Sequence, residues 1–464
     1  MAKIPAIEKC LTAMLLSLLL VAFCCGITAA AEKKVLNLDQ LIQMGLDYSP
    51  ELKMADQDVV AAKSDYNQAK AGMLPQLDVT GVIGPAQNAD EPVVLFDRTT
   101  NFGRIKDRDN DSVGFFGRLD FTITQPLYTF GKISNRKDAA ALGVEVQQAA
   151  REQKRNEVIL HIKELYYAYL IAGQGKSAAR EADDFISDAA RRIKRLVQMK
   201  AKSADQADLY RLDAFSGEVK AFAAKATSGA HMSYEALKKA VGLREGEEFS
   251  LDRTELPRKP QTLAPEGEYV TIAMQGRPEL TQAKKGAEAR KKLMDAAKAD
   301  LYPSVFAAAV GSAAVAPGRE TLDISYFNDE FNHAYAGVVA GAEWHFDFGI
   351  GKGKYDKARA EYLKTRHAQS YAEQNIPLEV MKYYQDALEA QSSYTAYEEA
   401  AVGARRWIVT AFSNFDIGVG SAKDMFDAID RYGKNQGEYL RALYNYHVSL
   451  ARLDYAIGQR GLER

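Results

Sequence analysis

Two short stretches of strand-like sequence, each set between long helical patterns, constrain the fold most. They occupy residues 76–126 and 304–348. In the first stretch apolar and polar side chains alternate, which is typical of strands with one buried face. The predicted strands cover residues 76–83, 115–124, 304–315 and 334–346. Each stretch supplies only two strands, and an isolated pair of strands is not stable by itself.

The helical patterns that flank these strands are long. Residues 132–198 contain no proline, and at about 1.5 Å per residue one helix over this range spans about 100 Å. A second long helix is predicted over residues 351–414, with an irregularity at Pro377. Shorter helical segments are predicted at residues 37–72, 204–242 and 421–458.

Local signals mark helix ends and one packing seam. Asn37 is predicted to cap the first helix, and Pro50 to kink or break it. In the last segment apolar residues recur at alternating spacings of four and three, the heptad pattern of a coiled coil. The seam residues are Tyr439, Leu443, Tyr446, Leu450, Leu453 and Ile457.

The second half of the chain repeats the first. Pro50 and Pro75 lie 25 residues apart, as do Pro278 and Pro303. Both strand stretches end in a matching tetrapeptide, Tyr-Thr-Phe-Gly at residues 128–131 and Phe-Asp-Phe-Gly at residues 346–349. Matching landmarks in the same order indicate an internal duplication.

The duplication sets the predicted organisation of the chain. Repeat 1 covers about residues 37–242 and repeat 2 about residues 269–458. Residues 243–268 contain three prolines and are predicted to be the linker between the repeats. A charged loop is predicted at residues 84–114, and loops of this length are usually functional.

The N-terminus has the pattern of a secretory signal peptide. Two lysines precede an apolar run over residues 11–27, and three alanines at residues 29–31 supply a cleavage site. We therefore expect residues 1–31 to be a signal peptide. An uncleaved membrane anchor is the first alternative, because the apolar run is near the threshold of about 18 residues for a membrane-spanning helix.

Composition excludes several classes of function. The chain has 464 residues and a formal net charge of −2, so it has no electrostatic footprint for nucleic acid. Its three cysteines all precede residue 32, so no disulfide or cysteine metal site is expected beyond that point. Lipid attachment at Cys24 or Cys25 is a further alternative, disfavoured because Phe23 and Cys24 are poor residues before a lipidated cysteine.

No catalytic, metal or cofactor motif stands out. The six histidines have no ligand spacing. Residues 349–353, Gly-Ile-Gly-Lys-Gly, lack the spacing of a phosphate loop and are predicted to be a strand-to-helix turn. The basic run at residues 191–195 is predicted to be a solvated helix face, with contact to a partner as the alternative. Trp344 and His345 are predicted to lie where an aromatic belt meets a membrane surface. We therefore expect no enzyme.

The strands imply association between copies of the chain. Beyond residue 31 no run of about 18 apolar residues occurs, so no transmembrane helix is expected. Strands of about ten residues can cross a membrane, but a sheet in lipid has no open edges. Four strands cannot close a barrel, whereas two copies supply eight strands and three copies supply twelve.

The order of motifs over the whole mature chain resembles that of the TolC-like outer-membrane efflux protein family. The matching segments are Pro50-Glu51-Leu52, Leu74-Pro75-Gln76, Gln125-Pro126-Leu127-Tyr128 with Gly131, and Asp424-Met425-Phe426-Asp427-Ala428. The resemblance implies a mainly helical protomer with four transmembrane strands. It further implies a homotrimer, a shared twelve-stranded β-barrel and an α-helical barrel in the periplasm. A periplasmic adaptor and an inner-membrane pump of the RND or ABC type are the partners implied, with outer-membrane lipid around the barrel.

The resemblance also supplies candidate site residues. Asp424 and Asp427 lie three apart on one helix face. From the residues alone, both are ordinary acids that favour a helix N-terminus; the resemblance implies instead that they line the periplasmic entrance. Three copies would then give a ring of six carboxylates, which attracts cations and raises the pKa of some of them. Weaker candidates are Asp205 and Asp208, with the same spacing, and Phe415 and Lys423, which stand near family latch positions that this chain does not keep.

Two functions remain open on these grounds. The first is a passive duct through the outer membrane, serving tripartite efflux or type I secretion. The second is a structural coiled-coil protein of the envelope that does not conduct. Two strand pairs at matched positions favour the duct, because a purely structural coiled coil has no use for them.

Overall fold

The computed structural model describes residues 34–89, 93–96, 103–106, 112–201, 204–258, 260–321 and 329–458. The predicted signal peptide and parts of the predicted loop at residues 84–114 lie outside these ranges.

Eight helices occupy the described residues. They are α1 (Leu38–Tyr48), α2 (Pro50–Ala71), α3 (Lys132–Gln198), α4 (Gln206–Ala240), α5 (Glu266–Gly276), α6 (Pro278–Ala299), α7 (Ile350–Asp416) and α8 (Ala422–Ala456). The two long helices, α3 and α7, have 67 residues each, and they occupy equivalent places in the two repeats.

Eight strands accompany them in the described residues. They are β1 (Lys34–Leu36), β2 (Gln76–Gln87), β3 (Val93–Phe96), β4 (Gly103–Lys106), β5 (Val113–Tyr128), β6 (Phe249–Leu251), β7 (Ser304–Val315) and β8 (His333–Glu343). The principal sheet has the order β2-β5-β7-β8 and is antiparallel throughout. Thus the strand pair of each repeat forms half of one four-stranded sheet.

Several observed bounds differ from those expected. The strand predicted at residues 76–83 extends to residue 87, and the strand predicted at residues 115–124 spans residues 113–128. Both are longer because their backbones continue to pair beyond the alternating residues. The predicted loop at residues 84–114 contains the hairpin β3–β4. The last strand spans residues 333–343 rather than 334–346. The linker predicted at residues 243–268 contains β6, which pairs in parallel with β1.

The ends of the first helices follow the local signals. Asn37 caps α1 through a reciprocal pair of hydrogen bonds with Gln40. Pro50 begins α2, where its missing N–H is not needed. The chain is therefore broken into two helices at this proline. Pro377, in contrast, lies inside α7, which continues through it.

One compact unit comprises residues 34–52, Arg155–Tyr269 and residues 380–458. It contains two apolar clusters, one around Ile162, Tyr394 and Tyr446 and the other around Ile193 and Phe426. Of the six predicted seam residues of α8, five are buried and Leu450 is partly buried. Both clusters combine residues of α3, α4, α7 and α8, so apolar contacts along α4 and α8 hold these helices against the long ones.

The same unit contains a buried ion pair. Lys163 and Asp454 lie 2.9 Å apart, with side chains only 7% and 9% exposed. Removal of Asp454 would take this partner from the buried Lys163 charge, which is strongly unfavourable. The pair therefore fixes the position of α8 against α3.

The other compact unit comprises Lys53–Lys154 and Val270–Glu379. It contains the principal sheet and the helix segments that adjoin it. Ion pairs join these helices, among them Lys285 with Glu145 at 2.8 Å and Lys292 with Asp138 at 3.1 Å. Exposed pairs of this kind contribute little individually.

Candidate functional site

The principal sheet has one wholly apolar face over its central residues. Because paired residues in an antiparallel sheet point to the same side, the strand register shows which residues share a face. One row across the sheet consists of Leu77, Ile123, Ala309 and Val338, and the next of Val79, Phe121, Gly311 and Ala336. This face is exposed in the protomer: Val338 is 82% exposed. Such a face requires a non-aqueous partner.

The opposite face of the sheet carries the polar side chains, together with apolar residues such as Ala308, Val310 and Val339. Its central row consists of Thr80, Asp120, Ser312 and Tyr335. Asp120 accepts a hydrogen bond from the Ser312 hydroxyl at 2.6 Å and forms an ion pair with Arg118 at 2.9 Å. His333 contacts the same hydroxyl through Nε2 at 2.8 Å. The sheet thus separates an apolar side from a charged side that suits water.

Both edges of this sheet lack a neighbour. In the structure's described ranges, β2 pairs only with β5, and β8 pairs only with β7. The unpaired N–H and C=O groups of an edge strand can accept a further strand. Two open edges on one sheet therefore permit copies of the chain to join edge to edge.

The turn from α7 into α8 carries the acidic candidates. Gly418 adopts a φ of 81°, which favours glycine. A Cβ on Gly420 would lie 3.0 Å from Asn414, so this position also requires glycine. Ser421 then caps α8: its hydroxyl accepts from the Asp424 amide at 3.1 Å and donates to the Asp424 carboxylate at 2.7 Å.

Asp424 therefore has a local structural role. Both Asp424 and Asp427 are exposed, but only Asp424 belongs to the capping box. The hydrogen bonds from Ser421 hold the pKa of Asp424 below its usual value in the protomer, whereas a ring of carboxylates is expected to raise some pKa values. Asp427 has no hydrogen bond or ion pair with any described residue, which leaves its carboxylate available.

The acidic pair of repeat 1 is not equivalent to that of repeat 2. Asp205 caps α4 and Asp208 completes the capping box, the positions held by Ser421 and Asp424 in α8. Asp208 therefore corresponds to Asp424 and Asp205 to Ser421. In α4 the two aspartates that lie three residues apart are the capping pair itself. In α8 the capping pair is Ser421 and Asp424, and Asp427 lies three residues after it.

The remaining candidates lie in different environments. Phe415 is only 9% exposed and packs in the second apolar cluster with Met425 and Phe426. Its ring therefore does not face an open entrance within the protomer. Lys423 is exposed beside Asp424, and its charge adds to the lowering of the Asp424 pKa.

Two sets of polar contacts near this turn are not predicted from the sequence. Arg192 of α3 pairs with Asp416 at the end of α7. Glu181 of α3 accepts from Arg405 at 2.7 Å and from the Tyr432 hydroxyl at 2.6 Å, which joins α3, α7 and α8. The residues lie more than 200 positions apart, so no local spacing indicates them. The basic run at residues 191–195 is a weak signal for the first contact.

Within the described part of the chain, no group of three or more His, Cys, Asp or Glu side chains is arranged to hold a metal ion. Among the helices of that part, none is both long and apolar enough to span a bilayer.

Comparison with solved structures shows the fold. The outer-membrane channel OprN superposes with a TM-score of 0.75 at 15% identity, covering 91% of this chain and 89% of that chain. VceC, an outer membrane protein from Vibrio cholerae, gives a TM-score of 0.72 at 17% identity, covering 91% and 96%. The open state of the Neisseria gonorrhoeae MtrE outer membrane channel gives 0.72 at 16% identity, covering 91% and 89%.

Comparison by sequence shows the family. A search among curated proteins gives no match. The family model described as outer membrane efflux protein matches residues 41–200 and 270–459. The two matched ranges fall in the two repeats, in agreement with the internal duplication. Because these ranges cover more than half of the chain, the protein belongs to the outer membrane efflux protein family.

Proposed function

We propose that the chain is the exit duct of a tripartite efflux or type I secretion system. In this proposal three copies form a twelve-stranded β-barrel in the outer membrane, continued by an α-helical barrel in the periplasm. The duct conducts substrates passively from the periplasm to the exterior, and no catalytic step is assigned to it.

The two-faced sheet with open edges carries the proposal. Its apolar face suits lipid and its polar face suits water, whereas its edges are incompatible with lipid unless further strands pair with them. Addition of copies edge to edge removes both edges when the ring closes. Three copies, rather than two, are proposed on the strength of the resemblance to trimeric relatives.

The partners follow from the family and not from a particular contact. A periplasmic adaptor and an inner-membrane pump, of the RND or ABC type, supply the energy that a passive duct lacks. In this proposal the cargo is determined by that pump rather than by the duct.

Asp424 and Asp427 are proposed to line the periplasmic entrance. Both carboxylates are exposed beside the turn between α7 and α8. Of the two, Asp427 is the stronger candidate for contact with passing cations, because Asp424 is already engaged by Ser421.

Cysteine cross-linking tests the shared sheet. Residues 32–464 contain no cysteine. Within one protomer β2 and β8 are separated by two strands, so their backbones lie about 14 Å apart, beyond the reach of a disulfide. Thr80→Cys, combined in turn with Tyr335→Cys, Gly337→Cys or Val339→Cys, is expected to yield disulfide-linked trimers on a denaturing gel. Thr122→Cys in the central strand β5 is the matched control and is expected not to link.

Conductance tests the duct itself. The purified protein is expected to migrate in a heat-modifiable manner and to form discrete channels in planar bilayers. A protein that stays monomeric, gives no linked species and never conducts would instead support the non-conducting coiled-coil alternative.

A further inference from the structure

Two phenylalanines at matching positions hold a strained backbone conformation. Phe130 has a φ of 50° and Phe348 a φ of 52°, values that bulky residues rarely adopt. Each precedes the glycine of the turn into a long helix. Phe348 is also completely exposed in the protomer. An exposed aromatic side chain on a strained backbone indicates that the side chain contacts an apolar environment outside the chain.

A cleft of about 530 Å³ lies at the second of these junctions. Its lining includes, beside His345, three apolar aromatic side chains and three cations: Trp344, Phe346, Phe348, Lys132, Arg136 and Lys354. We call this the junction cleft. The rings of Trp344 and Phe346 lie 4.5 Å apart, and the indole N–H donates to the Leu301 carbonyl oxygen at 3.2 Å. The indole N–H of Trp344 thus has a hydrogen-bond acceptor, while the residue as a whole is 53% exposed.

The two carboxylates of the cleft are already engaged. Asp300 pairs with Lys132 and with Arg136, each at 3.0 Å. Asp347 accepts from the amides of Gly349 at 3.2 Å and Gly351 at 2.7 Å. Both amides lie at the N-terminal end of α7, so the Asp347 carboxylate already caps this helix end.

One cation of the cleft remains available. Lys354 is exposed and has no hydrogen bond or ion pair with any described residue, although its charge acts on the nearby Asp347 carboxylate. The cleft follows directly on β8, where the apolar face of the sheet ends. An apolar surface that ends in exposed aromatic rings and an exposed cation matches the border between acyl chains and phosphates in a bilayer.

We propose that the junction cleft binds the headgroup of an anionic glycerophospholipid. The Lys354 ammonium contacts the phosphate, and Phe346 and Phe348 lie against the acyl chains. This inference rests on the proposed function, because it requires the apolar face of the sheet to lie in the membrane.

Tryptophan fluorescence tests the site in the full-length protein in nanodiscs. The chain contains two tryptophans, so Trp407→Phe leaves Trp344 as the only emitter. Nanodiscs of unlabelled phosphatidylcholine receive a small fraction of either brominated phosphatidylglycerol or brominated phosphatidylcholine. One lysine near a lipid surface corresponds to about a fivefold preference for the anionic lipid. With excitation selective for tryptophan, we therefore expect brominated phosphatidylglycerol to quench Trp344 at about a fifth of the concentration that brominated phosphatidylcholine requires.

Two variants connect that preference to the cleft. Lys354→Glu is expected to remove the preference while quenching by both lipids persists. Lys357→Glu changes an exposed lysine of the same helix that does not line the cleft, and it is expected to keep the preference. Equal quenching by both lipids in the parent protein would overturn the headgroup site and leave the membrane placement intact. The absence of quenching by either lipid would overturn the placement of the sheet in the membrane, and the site with it.

Discussion

Arg192 and Asp416 form a two-point ion pair between the long helices α3 and α7. Arg192 Nε lies 2.7 Å from Asp416 Oδ1, and Nη2 lies 3.0 Å from Oδ2. The same guanidinium lies 5.0 Å from the ring centre of Phe412. A planar guanidinium suits both contacts at once, whereas lysine would provide neither in full. Arg192 therefore is not a freely solvated member of the basic run at residues 191–195.

Asp416→Asn is expected to lower the free energy of unfolding by about 1 kcal/mol. The side chains of Arg192 and Asp416 are 25% and 48% exposed, so solvent screens part of the attraction, but the two-point geometry retains the rest. Denaturant unfolding of the detergent-solubilised protein measures the change. The control is Asp430→Asn, which removes an exposed pair with Lys434 within one helix and is expected to cost less than about 0.5 kcal/mol. An equal loss of unfolding free energy in the two variants would show that the interhelical pair contributes no more than an exposed pair within one helix.

The contribution of Asp416 is expected to depend on pH in one direction. Its hydrogen bonds with Arg192 hold the pKa of the Asp416 carboxyl below its usual value. A lowered folded pKa gives stability that is complete above the unfolded value, near 4, and is lost as pH falls through the folded value. Parent and Asp416→Asn should therefore differ in unfolding midpoint at pH 7, and the difference should begin to shrink near pH 4 and vanish only below the lowered folded pKa. A constant difference down to about pH 2 would contradict this assignment.

Tyr432→Phe is expected to cost about 1 to 2 kcal/mol of stability. The Tyr432 hydroxyl is buried and donates to Glu181 at 2.6 Å, and burial raises the pKa of this tyrosine, so that it stays protonated. Loss of a hydrogen bond to a charged acceptor carries a cost of this size. Tyr444→Phe is the matched control, since Tyr444 lies on the same helix and has no hydrogen bond with a described residue; it is expected to change stability by less than about 0.5 kcal/mol. The comparison fails if the two variants unfold alike.

The sequence predicts the periodic parts of this fold well. Helix α3 spans the predicted residues 132–198, and β7 spans the predicted residues 304–315. These elements depend on side chains close to one another in the chain, so their periodicity is visible locally. The position of Pro50 at the start of α2 follows from the same kind of local chemistry.

Contacts between distant residues could not be predicted in this way. Nothing near Glu181 indicates that Arg405 and Tyr432 will meet it. The predicted strand at residues 115–124 is shorter than β5, because the outer residues of β5 pair without strict alternation. The candidate entrance was found only through resemblance. Asp205 and Asp208 share the spacing of three with Asp424 and Asp427, but they form a capping box and are equivalent to Ser421 and Asp424 instead.

Asp427→Asn is expected to weaken the block of conductance by multivalent cations without loss of stability. Its carboxylate is exposed and free of partners among the described residues. Asp424→Asn is expected to weaken the block and also to lower stability, because it weakens the capping box of α8. The double change Asp424→Ala with Asp427→Ala should show the largest loss of block in planar bilayers.

Asp208→Asn separates capping from the entrance. Asp208 completes the equivalent capping box of α4, so its loss is expected to reduce stability as Asp424→Asn does, while cation block stays as in the parent. An unchanged block in the double variant would remove Asp424 and Asp427 from the entrance. A weaker block in Asp208→Asn would instead place the first repeat's turn there.

Phe348→Gly is expected to be more stable than Phe348→Ala by about 1 kcal/mol. The φ of 52° at this position penalises any residue with a Cβ, and glycine alone avoids that penalty. Thermal unfolding of both variants in the same detergent measures the difference. Phe346 provides the control, because it lies two residues earlier and is not among the positive-φ residues. There the order is expected to reverse, since glycine at an ordinary φ loses more chain entropy than alanine. If alanine were favoured at both positions, the strained backbone at residue 348 would not persist in the assembled protein.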